Sequence, residues 1–115
     1  MEAACKGSLE AGGSPIGLLP DTEWDAANPY VAIPIATGIG QARNALIARA
    51  CLALVAVGGG YGTLSEMAFG LHFDRLVLTL DRAPAVDGAV ACASVEDALE
   101  RIAAHLLREP SASMS

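Results

Sequence analysis

The sequence predicts an α/β fold built on a parallel sheet. Short apolar segments alternate with segments of helical spacing, in the order helix, strand, strand, helix, strand, helix, strand, helix. The segment Leu52–Val57 is continuously apolar, which is typical of a parallel strand covered on both faces. Glycine clusters follow Ala36 and Val57, and the carboxyl ends of parallel strands are where such sheets bind ligands. The informative residues are therefore expected in those two loops.

The first third of the chain predicts one helix and two strands. Glu2–Ala11 is rich in helix-forming alanine and is followed by two glycines, so we expect a helix there. Pro15–Leu19 is a short apolar run and predicts a buried strand. The polar segment Asp21–Pro29 predicts a loop. Val31–Ala36 predicts a short or edge strand, because the proline inside it cannot donate to a strand ladder.

The middle of the chain continues the alternation with two helices and two strands. The predicted elements are, in order, the helix Gln41–Cys51, the strand Leu52–Val57, the helix Thr63–Phe73 and the strand Leu76–Leu80.

The last predicted helix is Val95–Leu107. Ser94 followed by Asp97 resembles a capping box, with a shorter acid than the usual glutamate. One apolar stripe is predicted to pack, and it comprises Val95, Ala98, Leu99, Ile102, Ala103 and Leu106. The tail Glu109–Ser115 is expected to fray.

Composition limits the function classes. The chain has 115 residues, and we expect a single domain over residues 1–115. Hydrophobic residues make up 53% and charged residues 17%, which excludes a disordered chain. Seven basic against 13 acidic residues give a net charge of −6, which argues against binding nucleic acid through a basic face. An anionic ligand would have to be held locally, by backbone N–H groups and one or two arginines.

Membrane, secretion and metal signals are weak. The apolar run Ala50–Val57 is too short to span a bilayer, and the N-terminal segment does not have the pattern of a secretory signal. Three cysteines, odd in number and without CxxC spacing, predict reduced thiols of a cytoplasmic protein. His72 and His105 lie far apart in sequence, outside any ligand-spaced motif, so we expect no metal site.

The segment GGGYGTLSE, Gly58–Glu66, carries the strongest chemical signal. It follows the most apolar strand and opens a helix, so its glycines would present N–H groups at a helix N-terminus, where anions bind. Thr63 would add a hydroxyl. A plain strand-to-helix turn remains the alternative, with Thr63 and Glu66 forming an ordinary capping box. The GK[ST] ending of a Walker loop is absent.

The segment TGIGQARN, Thr37–Asn44, is the second glycine loop, and it includes Gly38 and Gly40. Arg43 would lie in the first turns of the following helix, where a cation opposes the helix dipole. A residue that is unfavourable for local structure, as Arg43 is here, is often a functional residue. The alternative is that Arg43 is an exposed, solvated arginine. If the two strands are neighbours, Arg43 and Glu66 would flank one ligand, with the arginine at a phosphate or leaving group.

These residues resemble a known family. GGGYGTLSE is similar to the PGGxGTxxE signature of the LOG-type Rossmann-like proteins, once labelled lysine decarboxylases. The stretch that begins ANPYVAIPIATGIGQARN and runs through this signature is closer to a branch related to the molybdenum cofactor carrier proteins. The resemblance covers about residues 1–80. It implies a Rossmann-like, three-layer nucleotide-binding fold that is usually a homodimer or a higher homo-oligomer.

The resemblance also implies site residues and two activities. In the LOG branch a phosphoribohydrolase cleaves the N-glycosidic bond of a nucleoside 5′-monophosphate, and the positions of its catalytic arginine and glutamate match Arg43 and Glu66. Phosphate-binding positions are predicted in the two glycine loops, at Gly38, Gly40, Gly58, Gly59, Gly60, Gly62 and Thr63. In the carrier-like branch the same loop would bind a ligand without cleaving it. The predicted ligand is AMP-like or of the molybdopterin type, and no resident cofactor is required.

Three departures from the LOG pattern bear on these predictions. Gly58 stands in place of proline, and GQARN replaces the usual MHxRK-like run, as in the carrier-like branch. Relatives also begin with a strand–helix–strand unit before the point that Met1 matches, so we expect this chain to lack that unit. A pyridoxal decarboxylase is excluded because its Schiff base needs a site lysine, and the single lysine, Lys6, lies in the first predicted helix.

Three interpretations therefore remain. The first is a carrier or sensor of a phosphorylated ligand, and the alternative is the hydrolase; both need the same anion site. The third is a structural remnant that binds no such ligand. Three aromatic residues are candidates to stack on the ligand's ring, although ordinary packing explains them equally well: Trp24, Tyr30 and Tyr61.

Overall fold

The computed structural model describes residues 2–23, 25 and 27–108. The chain forms two compact units, Met1–Leu46 and Ile47–Ser115. The predicted tail Glu109–Ser115 lies outside the described residues. Each unit is built from parallel strands and helices, which confirms the α/β class.

The first unit contains the helix α1 (Glu2–Glu10) and the parallel strands β1 (Ile16–Leu19) and β2 (Ile33–Ala36). Their register runs from Ile16 opposite Ile33 to Leu19 opposite Ala36. β2 has only four residues and contains Pro34, and the proline signal predicted such a short strand.

The helix α2 (Arg43–Ala50) begins in the first unit and ends in the second. A 3-10 turn, Gly40–Ala42, precedes it, and Gly40 has a φ of +61°. The predicted start at Gln41 is therefore two residues too early, because the backbone at 40–42 winds more tightly than an α-helix.

The second unit is a three-stranded parallel sheet with the order β3-β4-β5. Its elements in chain order are β3 (Ala53–Val57), α3 (Tyr61–His72), β4 (Leu76–Leu80), β5 (Val90–Ala91) and α4 (Val95–Leu107). The core of this unit packs Leu54 and Ala56 of β3 against Met67 of α3 and Val77 of β4. Burying these apolar side chains away from water stabilises this unit.

The strand β3 is covered less completely than its apolar sequence predicts. Leu54 and Ala56 are buried, whereas Val55 and Val57 are 39% and 64% exposed. In the described sheet β3 is an edge strand, with β4 as its hydrogen-bonded neighbour. The expectation of a strand buried on both faces is therefore wrong for this chain, in which the second face of β3 is partly open.

The helix α4 has the predicted bounds and the predicted cap. The Ser94 hydroxyl accepts the N–H of Asp97, and the Asp97 carboxylate accepts the N–H of Ala93. The predicted packing stripe is only partly correct. Ala98 is buried, but Val95, Leu99 and Leu106 are each more than half exposed.

Candidate functional site

The turn between β3 and α3 is built by three glycines. Gly58 and Gly59 have φ values of +62° and +109°, in the left-handed region that favours glycine. Gly60 is the N-cap, and α3 begins at Tyr61, two residues before the predicted start. Thr63 and Glu66 therefore lie inside the helix, and Thr63 is not the N-cap that the alternative prediction of a capping box required.

The start of α3 presents its N–H groups without a side-chain cap. A glycine N-cap offers no side-chain oxygen, and the first turn contains no acidic residue. The N–H groups of Tyr61, Gly62 and Thr63 have no carbonyl partner within the helix, because an α-helix leaves its first amides unpaired. Together with the helix dipole, this arrangement favours an anion at the turn.

Neighbouring contacts limit which atoms of the turn can reach a ligand. The N–H of Gly58 makes a long hydrogen bond of 3.4 Å to the carbonyl of Leu80, at the end of β4. The side chain of Thr63 lies against Gly59, so a Cβ at Gly59 would overlap the Thr63 hydroxyl. A Cβ at Gly62 would meet open space. Gly62 is therefore a position where a side chain can be added to the start of α3 without disturbing its packing.

The loop after β2 uses its amides within the first unit. The N–H of Gly38 donates to Asp21 O at 2.9 Å, and that of Gly40 donates to Pro20 O at 2.9 Å. The Thr37 hydroxyl donates to Leu19 O at 2.6 Å. These bonds brace the loop against the segment that follows β1. The phosphate-binding role predicted for Gly38 and Gly40 would therefore need atoms other than these amides.

Arg43 is the first residue of α2 and is half-buried. Its Nη1 donates to the carbonyl of Leu18 at 2.7 Å. Its Nε is buried without a hydrogen-bond partner in the described structure. The guanidinium therefore holds the end of β1, a structural contact that the sequence did not predict. Arg43 lies in the first unit and Glu66, half-buried in α3, lies in the second.

Asn44 is a buried polar residue that was not among the predicted site residues. It is 2% exposed, and its Oδ1 is buried without a partner in the described structure, while its Nδ2 is 3.5 Å from Gln41 Oε1. Asn44 lies one turn before the fully buried Ala48, and this i, i+4 spacing on the buried side of a helix was the available signal.

The aromatic candidates have different environments. Tyr61, directly after the glycine turn, is 91% exposed. Tyr30 is half-buried, with the Lys6 ammonium 5.8 Å from its ring centre. Trp24 lies outside the described residues.

Within the part of the chain that the structure describes, no group of three His, Cys, Asp or Glu side chains could hold a metal ion. Cys5, Cys51 and Cys92 are free thiols, and burial raises the pKa of the Cys51 thiol. No helix in the described residues is long and apolar enough to cross a membrane.

One family model and one relative in sequence match most of the chain. The model of the SLOG cluster4 family matches residues 1–110. An uncharacterized protein of Archaeoglobus fulgidus is 38% identical over 99 residues, and the match covers 86% of this chain and 65% of that protein.

Two kinds of solved structure superimpose on the chain. The molybdenum cofactor binding protein from Rippkaea orientalis has a TM-score of 0.85 at 30% identity, covering 92% of this chain and 71% of that one. The molybdenum cofactor carrier protein from Chlamydomonas reinhardtii has TM-scores of 0.78 and 0.79 in two structures, at 37% and 36% identity. Those matches cover 91% and 92% of this chain and 70% of the Chlamydomonas protein.

Proposed function

The chain belongs to the SLOG cluster4 family, and from this premise we propose that it carries a phosphate-bearing ligand of the molybdopterin type. The ligand would bind at the glycine turn that joins β3 to α3. The observation that carries the proposal is the uncapped start of α3, in a chain similar at 30–37% identity to proteins described as binding or carrying molybdenum cofactor.

The phosphate would be held by main-chain N–H groups. Gly58, Gly59 and Gly60 turn the chain so that the first amides of α3 face a ligand, and Gly62 leaves space beside them. The Thr63 hydroxyl, three residues into the helix, would add a donor. No ammonium group is needed, because several amides and the helix dipole stabilise the phosphate charge together.

The contacts of Arg43 favour binding without bond cleavage. A hydrolase would use its guanidinium at the leaving group or the phosphate. Here Nη1 is engaged with the Leu18 carbonyl, so we assign Arg43 a positioning role at the end of β1. Glu66 lies in the second turn of α3, beyond the phosphate-binding amides, and we propose that it contacts a ligand hydroxyl. The carrier is proposed to act as a homo-oligomer in the cytoplasm.

The proposal is tested by loading the protein. Molybdenum cofactor released anaerobically from a purified molybdoenzyme is mixed with the chain and separated by gel filtration, and molybdenum and pterin fluorescence are measured in the protein fraction. We expect both to co-elute with the wild-type chain. Failure of the wild type to retain either component would contradict the proposal.

Variants at Gly62 give the matched control. Gly62→Asp places a carboxylate beside the phosphate-binding amides, and we expect the dissociation constant to rise about tenfold or more, roughly 1.4 kcal/mol. Gly62→Ala adds only a methyl group in open space and should bind like the wild type. Equal binding by both variants would place the ligand elsewhere. In a parallel arm with AMP, release of adenine would show the hydrolase instead.

A further inference from the structure

Asp81 has a backbone conformation that favours glycine. Its φ is +56°, and Asp74 is the other residue besides glycine with a positive φ in the described part of the chain. Asp74 directly follows the C-cap of α3, and its N–H donates to Leu71 O at 3.1 Å, so the end of the helix explains its conformation. Asp81 ends no helix. It lies in the turn after β4, where glycine would adopt the same φ at lower cost.

The turn after β4 lies beside the glycine turn that precedes α3. Leu80 ends β4 opposite Val57, the last residue of β3. The Leu80 carbonyl accepts two N–H groups, from Gly58 at 3.4 Å and from Ala83 at 3.3 Å. The first bond joins the end of β4 to the glycine turn, and the second closes the turn that contains Asp81. Asp81 therefore lies next to the glycine turn, at the carboxyl edge where parallel sheets bind ligands.

The Asp81 carboxylate is exposed and has no hydrogen bond or ion pair within the residues that the structure describes. Side chains in turns often bond to a backbone N–H two residues on, as Asn28 does with the N–H of Tyr30 at 3.0 Å. Asp81 makes no such bond, so its side chain does not stabilise the turn. A free acceptor at the ligand-binding edge is a functional reason for an aspartate at this position.

A carboxylate at this edge is complementary to one part of a molybdopterin-type ligand. The pterin ring carries a ring N–H beside an amino group, and a carboxylate accepts one hydrogen bond from each, side by side. The same carboxylate repels the phosphate of the ligand, which the amides at the start of α3 attract. The two groups would therefore orient the ligand, with its phosphate at α3 and its ring donors at the end of β4.

We propose that Asp81 is a specificity-determining residue of the site at the glycine turn, and that it selects ligands whose ring presents an N–H beside an amino group. This inference rests on the proposed function, since it needs a ligand whose phosphate is held at that turn. Guanine presents the same pair of donors as pterin. Adenine presents an amino donor beside a ring-nitrogen acceptor, and the carboxylate repels that acceptor.

Nucleotides that share one ribose phosphate test the selection. Isothermal titration calorimetry measures the binding of GMP and AMP to the wild-type chain, and we expect GMP to bind about tenfold more tightly or better. Asp81→Asn replaces one acceptor oxygen by an amino group, so GMP should bind about tenfold more weakly to this variant. Xanthosine 5′-monophosphate has an oxygen in place of the guanine amino group. It should bind Asp81→Asn more tightly than GMP does, a reversal that damage to the fold would not produce.

Two variants separate the role of the carboxylate from the stability of the chain. Asp81→Gly removes the carboxylate and suits a φ of +56°. It should lose the preference for GMP while it unfolds at the wild-type temperature or above. Asp74→Asn makes the matched change at the other aspartate of positive φ, beyond the far end of the 12-residue helix α3, and should keep the preference.

The phosphate site is tested separately by Gly62→Asp, which should weaken GMP and AMP by the same factor. If it does so while GMP and AMP bind the wild type equally, the glycine turn binds phosphate and Asp81 does not select the ring. Binding of neither nucleotide by the wild type, an Asp81→Asn variant that still prefers GMP, or loss of the preference in Asp74→Asn would also overturn the proposal.

Discussion

The Nη1 atom of Arg43 lies 2.7 Å from the carbonyl oxygen of Leu18, so a cation at the start of α2 is bound to the end of β1. A positive charge at a helix N-terminus opposes the helix dipole, and a strand carbonyl offsets part of that cost. The buried Nε has no partner in the described structure, so the Leu18 carbonyl is the hydrogen-bond acceptor that the structure shows for this guanidinium. The position that looked anomalous in the sequence therefore has a structural explanation.

Replacing Arg43 should destabilise the chain. Arg43→Met removes a charge-assisted hydrogen bond to a half-buried carbonyl, and we expect a loss of about 1.5–3 kcal/mol in the free energy of unfolding. Urea denaturation measures it. Arg82→Met, at an exposed arginine, is the matched control and should change stability by less than about 0.5 kcal/mol. Equal losses in the two variants would show that the Leu18 contact contributes nothing.

The glycine turn shows how far its chemistry could be predicted from sequence. The loop, its glycines and its place after β3 were predictable, because only glycine adopts positive φ at low cost. The residue at which α3 begins was not predictable. Thr63 and Glu66 match a capping box by spacing, but Gly60, which has no side chain, is the N-cap, and the helix begins two residues earlier than predicted. Propensity rules favour a polar cap, whereas a site that holds an anion benefits from open amides.

Alanine substitutions at two glycines of this turn should change the stability of the chain in opposite directions. Gly62→Ala should raise stability by up to about 1 kcal/mol, since Gly62 is helical and a Cβ there meets open space. Gly59→Ala should lower it by about 1–3 kcal/mol, because its φ is +109° and a Cβ would overlap Thr63. Thermal unfolding of the two variants measures both effects. The same sign for both would contradict the turn geometry described here.

At Gly70 the helix α3 packs closely against the sheet. A Cβ at this position would lie 2.9 Å from Val77 Cγ2 and 3.7 Å from Leu54 Cδ2, both in the core. Gly70→Ala should therefore cost about 1–3 kcal/mol through overpacking. Combining it with Val77→Ala should cost less than the sum of the two single changes, by about 0.5–3 kcal/mol. A double-mutant cycle from chemical denaturation measures this coupling, and strict additivity would be evidence against the contact.

Burial was harder to predict than the elements themselves. The bounds of α4 agree with the prediction because Ser94 and Asp97 fix its start and the apolar period fixes its length. The helical spacing of apolar residues could not show that Leu99 and Val95 stay exposed, because the apolar stripe of α4 is wider than the surface that covers it. The open face of β3 has the same cause, because an apolar run does not indicate what lies on either side.

The cap of α4 predicts a specific dependence of stability on pH. The N–H of Ala93, donated to the Asp97 carboxylate, lowers the pKa of that carboxyl, and the Arg101 guanidinium, 3.1 Å away, lowers it further. A carboxyl whose pKa is lower in the folded than in the unfolded chain contributes stability above its unfolded pKa of about 3.9, and loses it as pH falls through the folded pKa. Asp97→Asn should therefore flatten the dependence of the unfolding free energy on pH in the acid range.

The control is Glu100→Gln, which removes an exposed carboxyl outside the cap on the same helix and should leave the contribution of the cap in place. Parallel acid profiles for the wild type and Asp97→Asn would show that the carboxylate does not stabilise the folded chain.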